Sequence, residues 1–310
     1  MIKTRAMTTG ISSGLSKVTE VTTCEVIDTR RAHRQYRVVP RMLTADRVEL
    51  FFTDQGDGPC LVFAHSWALN SDQWHYVVAG LLDKGYRCVT YDRRGHGRSD
   101  RHGGRWSMDL LADDLARLIG HLDLKDVTLV GHSMGCSEIV RYVTRHGSGR
   151  VRQAVFLAPI LPLLIKVDDN PDGVAPAHLD AALALLGRDV PQWCAENSSP
   201  YFGVHPNVSP GMADWTTRQI VDTPVKTLVD TMRMGAETDF RAELPAFDTP
   251  TLLIHGDADA SAPIEITGRK TAALLPRARL IELPEAGHGV YVTHARQIAD
   301  EVAKFVGSPD

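Results

Sequence analysis

The sequence predicts an α/β domain organised on a doubly wound, mainly parallel sheet with an inserted helical cap. Two parts of the chain, 41–158 and 247–310, alternate short β-branched apolar runs with stretches of helical periodicity. Uninterrupted apolar runs mark strands buried on both faces, the habit of a parallel sheet covered by helices. Between those parts, 159–246 carries Pro, Asp, Trp and Met residues and helical fragments without a buried strand. Such an insertion after a strand is placed to cap the sheet edge. The third observation is Gly131-His132-Ser133-Met134-Gly135, where a strand-like run, 126–130, turns at once into helical periodicity reaching Arg141.

Residues 1–40 differ from the rest. They are rich in Thr and Ser and hold a basic cluster from Arg30 to Arg37, which reads as a solvated, dispensable extension. Met42 opens an alternating stretch through Phe52 that predicts the first strand. Cys60–Ala64 reads as a buried strand, and Ser71–Leu82 as a helix capped by Ser71 or Asp72. Arg87–Tyr91 is the next strand, followed by a polar loop, Asp92–Ser99. A helix over about 107–122 precedes the central strand, a helix over about 134–146 follows it, and Val151–Leu157 is a further strand. After the insertion, Thr251–Ile254 resumes the sheet, Ala278–Leu283 completes it, and a helix over about 293–306 closes the chain.

Bulk properties narrow the function. A chain of 310 residues can bury a large core with an insertion. A formal net charge of −4 gives no reason to expect nucleic acid or an anionic membrane as partner. Cys24, Cys60, Cys88, Cys136 and Cys194 are scattered without C-x-x-C spacing, so free thiols in a reducing, cytoplasmic setting are expected. No apolar run approaches the ~18 residues of a membrane span, and residues 8–23 lack the apolar stretch of a secretory signal. No H-E-x-x-H or other ligand spacing occurs, so neither metal nor cofactor is expected. Tyr91-Asp-Arg-Arg-Gly-His-Gly lacks the spacing of a dinucleotide fingerprint.

The chemistry follows from the turn at Ser133. Gly131 and Gly135 let strand and helix approach closely, and the turn lifts the Ser133 hydroxyl out of the sheet edge. The helix that follows aims free N–H groups at the same point, which suits a developing oxyanion. A bare G-x-S-x-G occurs by chance about 0.1 times in a chain of this length. Framed by strand and helix, it predicts a serine nucleophile. Acyl transfer then needs a base and a carboxylate from loops on the same sheet edge. Two loops qualify: His255-Gly256-Asp257-Ala258-Asp259, and Glu285-Ala286-Gly287-His288-Gly289. The order Ser133, Asp, His288 is that of one hydrolase architecture.

On these residues, and on Glu138-Ile-Val-Arg-Tyr142, Glu237-Thr-Asp-Phe240 and Thr267-Gly-Arg-Lys270, the chain from about Met42 onward resembles the α/β-hydrolases. Within them it is similar to the branch of cofactor-free haloperoxidases and aryl esterases. In that branch's H-G-x-x-D pattern the acid is the second carboxylate, which the resemblance carries to Asp259. Asp257 then reads as a turn residue. The resemblance also implies an oxyanion hole from the backbone N–H groups of Met134 and Trp67. Ser66 departs from the family's Gly, and its hydroxyl reads equally as a support for the loop or as solvent-facing. His65, His96 and His132 read as structural neighbours of the motifs.

The resemblance implies a serine hydrolase that cleaves carboxylic esters or lactones with water, through an acyl-enzyme. Ala68 and Val290 are small beside the predicted site, and Trp193, Tyr201, Phe202, Met212, Trp215 and Met232 supply bulky apolar groups. Each aromatic taken singly reads as core, whereas together they suit a roomy pocket for a bulky ester. Similarity to serine-dependent macrolide esterases makes lactone opening, and so antibiotic inactivation, the sharpest form of this expectation. Asp168, Asp169 and Asp172 read either as a site for a basic amino sugar or as a solvated loop. A cofactor-free perhydrolase of haloperoxidase type is the competing activity, although Ala68 stands where peroxide-using members carry Pro. A low-turnover ligand receptor of this fold is the competing class. The oligomeric state is left open.

Overall fold

The computed structural model describes residues 40–101, 103–203 and 208–307. The expectation for 1–40 therefore lies, Pro40 apart, outside the described residues. Eight strands form one sheet in the order β1-β2-β4-β3-β5-β6-β7-β8. They are β1 (Arg41–Leu43), β2 (Glu49–Gln55), β3 (Cys60–Ala64), β4 (Arg87–Tyr91), β5 (Val127–His132), β6 (Val151–Leu157), β7 (Thr251–Gly256) and β8 (Ala278–Leu283). Only the β1–β2 and β2–β4 pairs are antiparallel. All pairs from β4–β3 to β7–β8 are parallel.

The strands alternate their apolar side chains between two cores, as a period of two requires. Val62, Leu129, Ala154, Phe156 and Leu253 face one core, with Leu111 and Leu115 of α2 (Met108–His121) and Ile139 and Val140 of α3 (Met134–His146). Leu61, Phe63, Val130, Val155, Leu252 and Ile254 face the other. There they meet Val77 and Leu81 of α1 (His75–Leu82) and Ile298 and Val302 of α10 (Ala295–Gly307). Double-sided burial is what the uninterrupted apolar runs encode.

The strands read as 126–130 and Thr251–Ile254 run on to His132 and Gly256, and three other boundaries differ more. The stretch from Met42 to Phe52 is two antiparallel strands rather than one, because the chain turns back between Thr44 and Val48, whose backbones exchange a 2.9 Å hydrogen bond. The segment from Ser71 begins as a 3-10 turn, Ser71–Trp74, before α1. The closing helix splits at His294 into α9 (Val290–Thr293) and α10.

Between β6 and β7 come four helices: α4 (Pro176–Arg188), α5 (Val190–Phe202), α6 (Pro210–Asp222) and α7 (Val225–Glu237). Each of the four has Pro at or next to its first helical position, where a missing N–H costs nothing. They pack through two small apolar clusters, one around Leu186, Val190 and Leu228, the other around Leu179, Leu183 and Ala236. α8 (Gly268–Leu274) lies between β7 and β8. Among the described residues no helix is long and apolar enough to cross a membrane.

Candidate active site

β5 delivers Ser133 at the sheet edge in a left-handed backbone conformation, φ 56° and ψ −116°. A non-glycine residue holds such a conformation only when its surroundings enforce it. Here the Ser133 N–H donates to the Leu157 carbonyl at the end of β6, 2.9 Å away, and its carbonyl accepts from Cys136 N–H at 3.0 Å. Neither flanking glycine has room for a side chain. A Cβ at Gly131 would lie 2.7 Å from the Cys136 nitrogen, and one at Gly135 would run into the Ala64 carbonyl oxygen.

Asp259 sits in the loop after β7 and accepts four hydrogen bonds. Ser261 N–H and Ala262 N–H, each at 2.8 Å, hold one carboxylate oxygen. His255 Nε2 at 3.1 Å and His288 Nδ1 at 2.6 Å hold the other. Burial pushes this carboxyl up, but electrostatic attraction to the adjacent His288 ring and the two histidine hydrogen bonds outweigh it and hold Asp259 well below the usual carboxylate range. Asp257 is instead exposed, and it accepts the Glu285 N–H at 2.6 Å, tying the two loops together. With its Nδ1–H on the carboxylate, His288 keeps Nε2 as its lone-pair nitrogen.

The backbone around His288 is fixed from two sides. Gly289 N–H donates to the Tyr201 carbonyl at 2.9 Å, and Ala286 bridges to Gly203 at the end of α5. On the other side, His132 Nε2–H donates to the His288 carbonyl at 3.0 Å, with the two rings 4.8 Å apart. Burial, then the neighbouring His288, pushes His132 well below its usual pKa, so it is a neutral ring. Its Nδ1 accepts from Gln73 Nε2 at 3.4 Å, and Gln73 Oε1 accepts the Ser66 N–H at 2.9 Å. Gln73 thus connects the loop after β3 with the loop bearing His288. No sequence signal marks it, since it is one glutamine in a turn.

A second buried network braces the same loop. Arg93 and Glu138 form an ion pair with both side chains fully buried, 2.8 Å apart, and Glu138 also accepts from the Tyr91 hydroxyl. Arg93 donates to the His65 carbonyl at 2.7 Å, and its backbone N–H donates to His65 Nε2 at 2.9 Å. Burial, then Arg93 and His96, holds His65 well below its usual pKa. His65, His96 and His132 are therefore supports within the fold, as read from the sequence.

Ser133 and His288 open on one cavity of about 410 Å³, together with Ser66, Trp67, Met134 and Ser261. Among the described residues, the backbone N–H groups of Trp67 and Met134 have no acceptor. Trp193, Tyr201 and Phe202 stand on the cavity wall, as does Met232.

Ala68, Val290 and Trp215, expected at the substrate, do not line the cavity. Ala68 is fully buried at φ 62°, packed beside Leu186, Val190 and Leu228, and its carbonyl accepts the Thr223 hydroxyl at 3.1 Å. Val290 is fully buried among the side chains of the α1–α10 core. Trp215 turns away to meet His75 and Tyr76, with ring centroids 6.3 and 6.2 Å apart, and Met212 lies in that same outer groove. Neighbouring helix positions point about 100° apart, and it is Thr216 that faces the cavity. Leu179, Ile220 and Thr231 also line it, and the sequence reading passed over them. Asp168, Asp169 and Asp172 are exposed. Asp169 pairs with Arg241 and Asp172 with Lys270, each at 3.0 Å, in keeping with a solvated loop.

The family profile for the alpha/beta hydrolase fold matches residues 59–295. The chain belongs to the alpha/beta hydrolase family. It is 40% identical over 255 residues to the non-heme chloroperoxidase CPO-A1 of Kitasatospora aureofaciens, covering 81% of this chain and 93% of that one. It is 34% identical to a bifunctional esterase/perhydrolase of Acinetobacter calcoaceticus, over 86% of this chain and 98% of the other. The crystal structure of a bromoperoxidase from Bacillus anthracis superposes with a TM-score of 0.82 at 30% identity, over 87% of this hydrolase and 100% of that chain. The expected resemblance to the cofactor-free haloperoxidases thus holds across most of the chain.

Proposed function

We propose that this hydrolase cleaves carboxylic esters or lactones through a Ser133 acyl-enzyme. The observation that carries the reading is the Asp259–His288 pair, held at 2.6 Å, with His288 opening beside Ser133 on one mainly apolar cavity. His288, oriented by Asp259, takes the Ser133 proton as the hydroxyl attacks the ester carbonyl. The N–H groups of Trp67 and Met134 receive the tetrahedral oxyanion. His288 returns the proton to the leaving alkoxide. Water, activated by the same ring, then releases the acid and frees Ser133.

In this reading 41–158 and 247–310 form the catalytic core, 159–246 is a cap whose helices wall the substrate, and 1–40 is dispensable. A cavity of about 410 Å³ lies toward the lower end of small-molecule sites. It suits a compact apolar ester better than a glycosylated macrolide, which keeps macrolide opening as an arm of the test. Incubation with aryl esters of graded acyl length and with macrolides, read by mass spectrometry, decides among substrates. Ser133→Ala is expected to lose at least a thousandfold in turnover while melting as the wild type does. Retention of more than a thousandth of the activity would remove Ser133 as nucleophile.

Relatives named as a chloroperoxidase and as an esterase/perhydrolase favour a second activity at the same site. Hydrogen peroxide replaces water at the acyl-enzyme, releasing a peracid and free Ser133. Peracid formed from an ester and peroxide by the wild type, and not by Ser133→Ala, would establish it. Hydrolysis alone, unchanged by peroxide, would exclude it.

A further inference from the structure

One hydroxyl at the Ser133 end of the cavity has no part in the steps above. Ser66 is only 4% exposed, yet it lines the cavity. Its backbone is pinned at both ends: the N–H donates to Gln73 Oε1 at 2.9 Å, and the carbonyl accepts from His65 Nδ1 at 2.7 Å and from Arg93 Nη1 at 3.3 Å. Its hydroxyl has no hydrogen-bond partner among the described residues. It therefore neither ties the loop nor faces bulk solvent. An unpartnered hydroxyl on the cavity wall is free to donate to whatever acceptor the cavity receives.

Sheet register says which acceptor. β3 and β5 are adjacent and parallel, with Ala64 opposite Gly131. β3 ends at Ala64 and β5 at His132, so Ser66 and Ser133 both stand just past the ends of neighbouring strands, which run about 4.8 Å apart. The next residues, Trp67 and Met134, are those whose N–H groups lack acceptors. We infer that the Ser66 hydroxyl is a third donor to the substrate carbonyl oxygen, beside the Trp67 and Met134 N–H groups. Ser66 is then a catalytic residue of the ester reaction. It transfers no proton. Its O–H bond stays intact, and its hydrogen bond strengthens as the carbonyl oxygen takes on negative charge.

The inference rests on the Ser133 acyl-enzyme reading, and the test separates the two. Ser66→Ala and Ser66→Gly are compared with wild type for hydrolysis of 4-nitrophenyl butyrate and for inhibition by a propyl trifluoromethyl ketone, which forms a tetrahedral adduct. Losing one oxyanion donor is expected to cost kcat/KM about a hundredfold, the lower end for such a donor because two others remain. Ketone affinity should fall by the same factor, with KM within about twofold. A purely structural role would move the melting temperature and KM instead. Loss of less than tenfold in either folded variant overturns the inference, as does a loss that ketone affinity does not follow. Failure of both variants to fold overturns it too, by making the hydroxyl a structural tie. Covalent labelling by a fluorophosphonate should occur in wild type and both variants. Labelling of Ser133→Ala would sink the acyl-enzyme reading itself.

Discussion

At the end of the cavity holding Ser133 and His288, position is set by hydrogen bonds. Asp259 has four donors, and His132, Gln73 and Ser66 form a continuous chain behind the ring. The wall built by α4 to α7 is different. Trp193, Leu179, Ile220, Met232 and Phe202 supply surface rather than hydrogen bonds, and their helices are held by small apolar clusters. Damage at the first end should therefore reduce turnover for every substrate, and damage at the second should redistribute turnover among substrates.

The largest effect expected from breaking this contrast is at Asp259. In Asp259→Asn the amide oxygen is needed by the Ser261 and Ala262 N–H groups, which turns the amide NH2 toward His288 Nδ1. The ring would then carry its proton on the wrong nitrogen, at a cost of about 10⁴ in kcat, close to 5.5 kcal/mol. The loss should be equal for acetate, butyrate and octanoate esters. Asp257→Asn, at an exposed loop tie, should lose less than tenfold. Equal losses in the two variants would show that the wrong carboxylate has been assigned.

Acid should expose the same contrast in stability. His65 and His132 lie well below their usual pKa, and burial with Arg93 pushes His96 down to about 3. Each is neutral when folded and takes up a proton near 6.5 when unfolded, so stability present above pH 6.5 falls as pH drops. From pH 6.5 to 5.5 the loss is about 1 kcal/mol per histidine, or about 3 kcal/mol together. Asp114, which burial pushes up to about 6 against the opposing pull of Arg94, binds a proton in the folded state over that window and returns less than about 1 kcal/mol. Urea melts at the two pH values should differ by about 2 kcal/mol. Hydrogen exchange should quicken in β3, β4 and β5 more than in α4 to α7. A flat profile, or exchange led by the insertion, would contradict it.

The two ends also differ in how far the sequence could be read. Cys60–Ala64, Arg87–Tyr91, Val151–Leu157 and Ala278–Leu283 have the same bounds in sequence and structure. The first two are buried almost throughout, the third from Gln153 on, and the edge strand Ala278–Leu283 is legible instead from its short Leu-Ile core between turn residues. Gly131 and Gly135 were legible because packing at the turn excludes side chains. Gln73, Arg93 and Glu138 were not: their roles arise from partners far along the chain, with no local pattern. On the insertion, composition pointed to Trp193, Tyr201 and Phe202 but chose Trp215 over Thr216. A one-residue step around a helix changes the face, and periodicity there is too weak to fix it.

The smallest effect is expected on the wall. Trp193 is half-buried, lines the cavity, and stacks edge-on against Trp67 at 5.2 Å. The Trp67 indole N–H donates to the Leu228 carbonyl at 3.0 Å. Trp193→Ala therefore removes wall without releasing Trp67. Room gained in an apolar site is worth roughly 1–3 kcal/mol per methylene accommodated. The ratio of kcat/KM for octanoate over acetate esters should rise about tenfold, with acetate turnover nearly unchanged. If acetate and octanoate fall together, Trp193 belongs with the residues that set position rather than selectivity. If neither changes, the acyl chain lies elsewhere in the cavity, and an alcohol series at fixed acyl length should then show the shift.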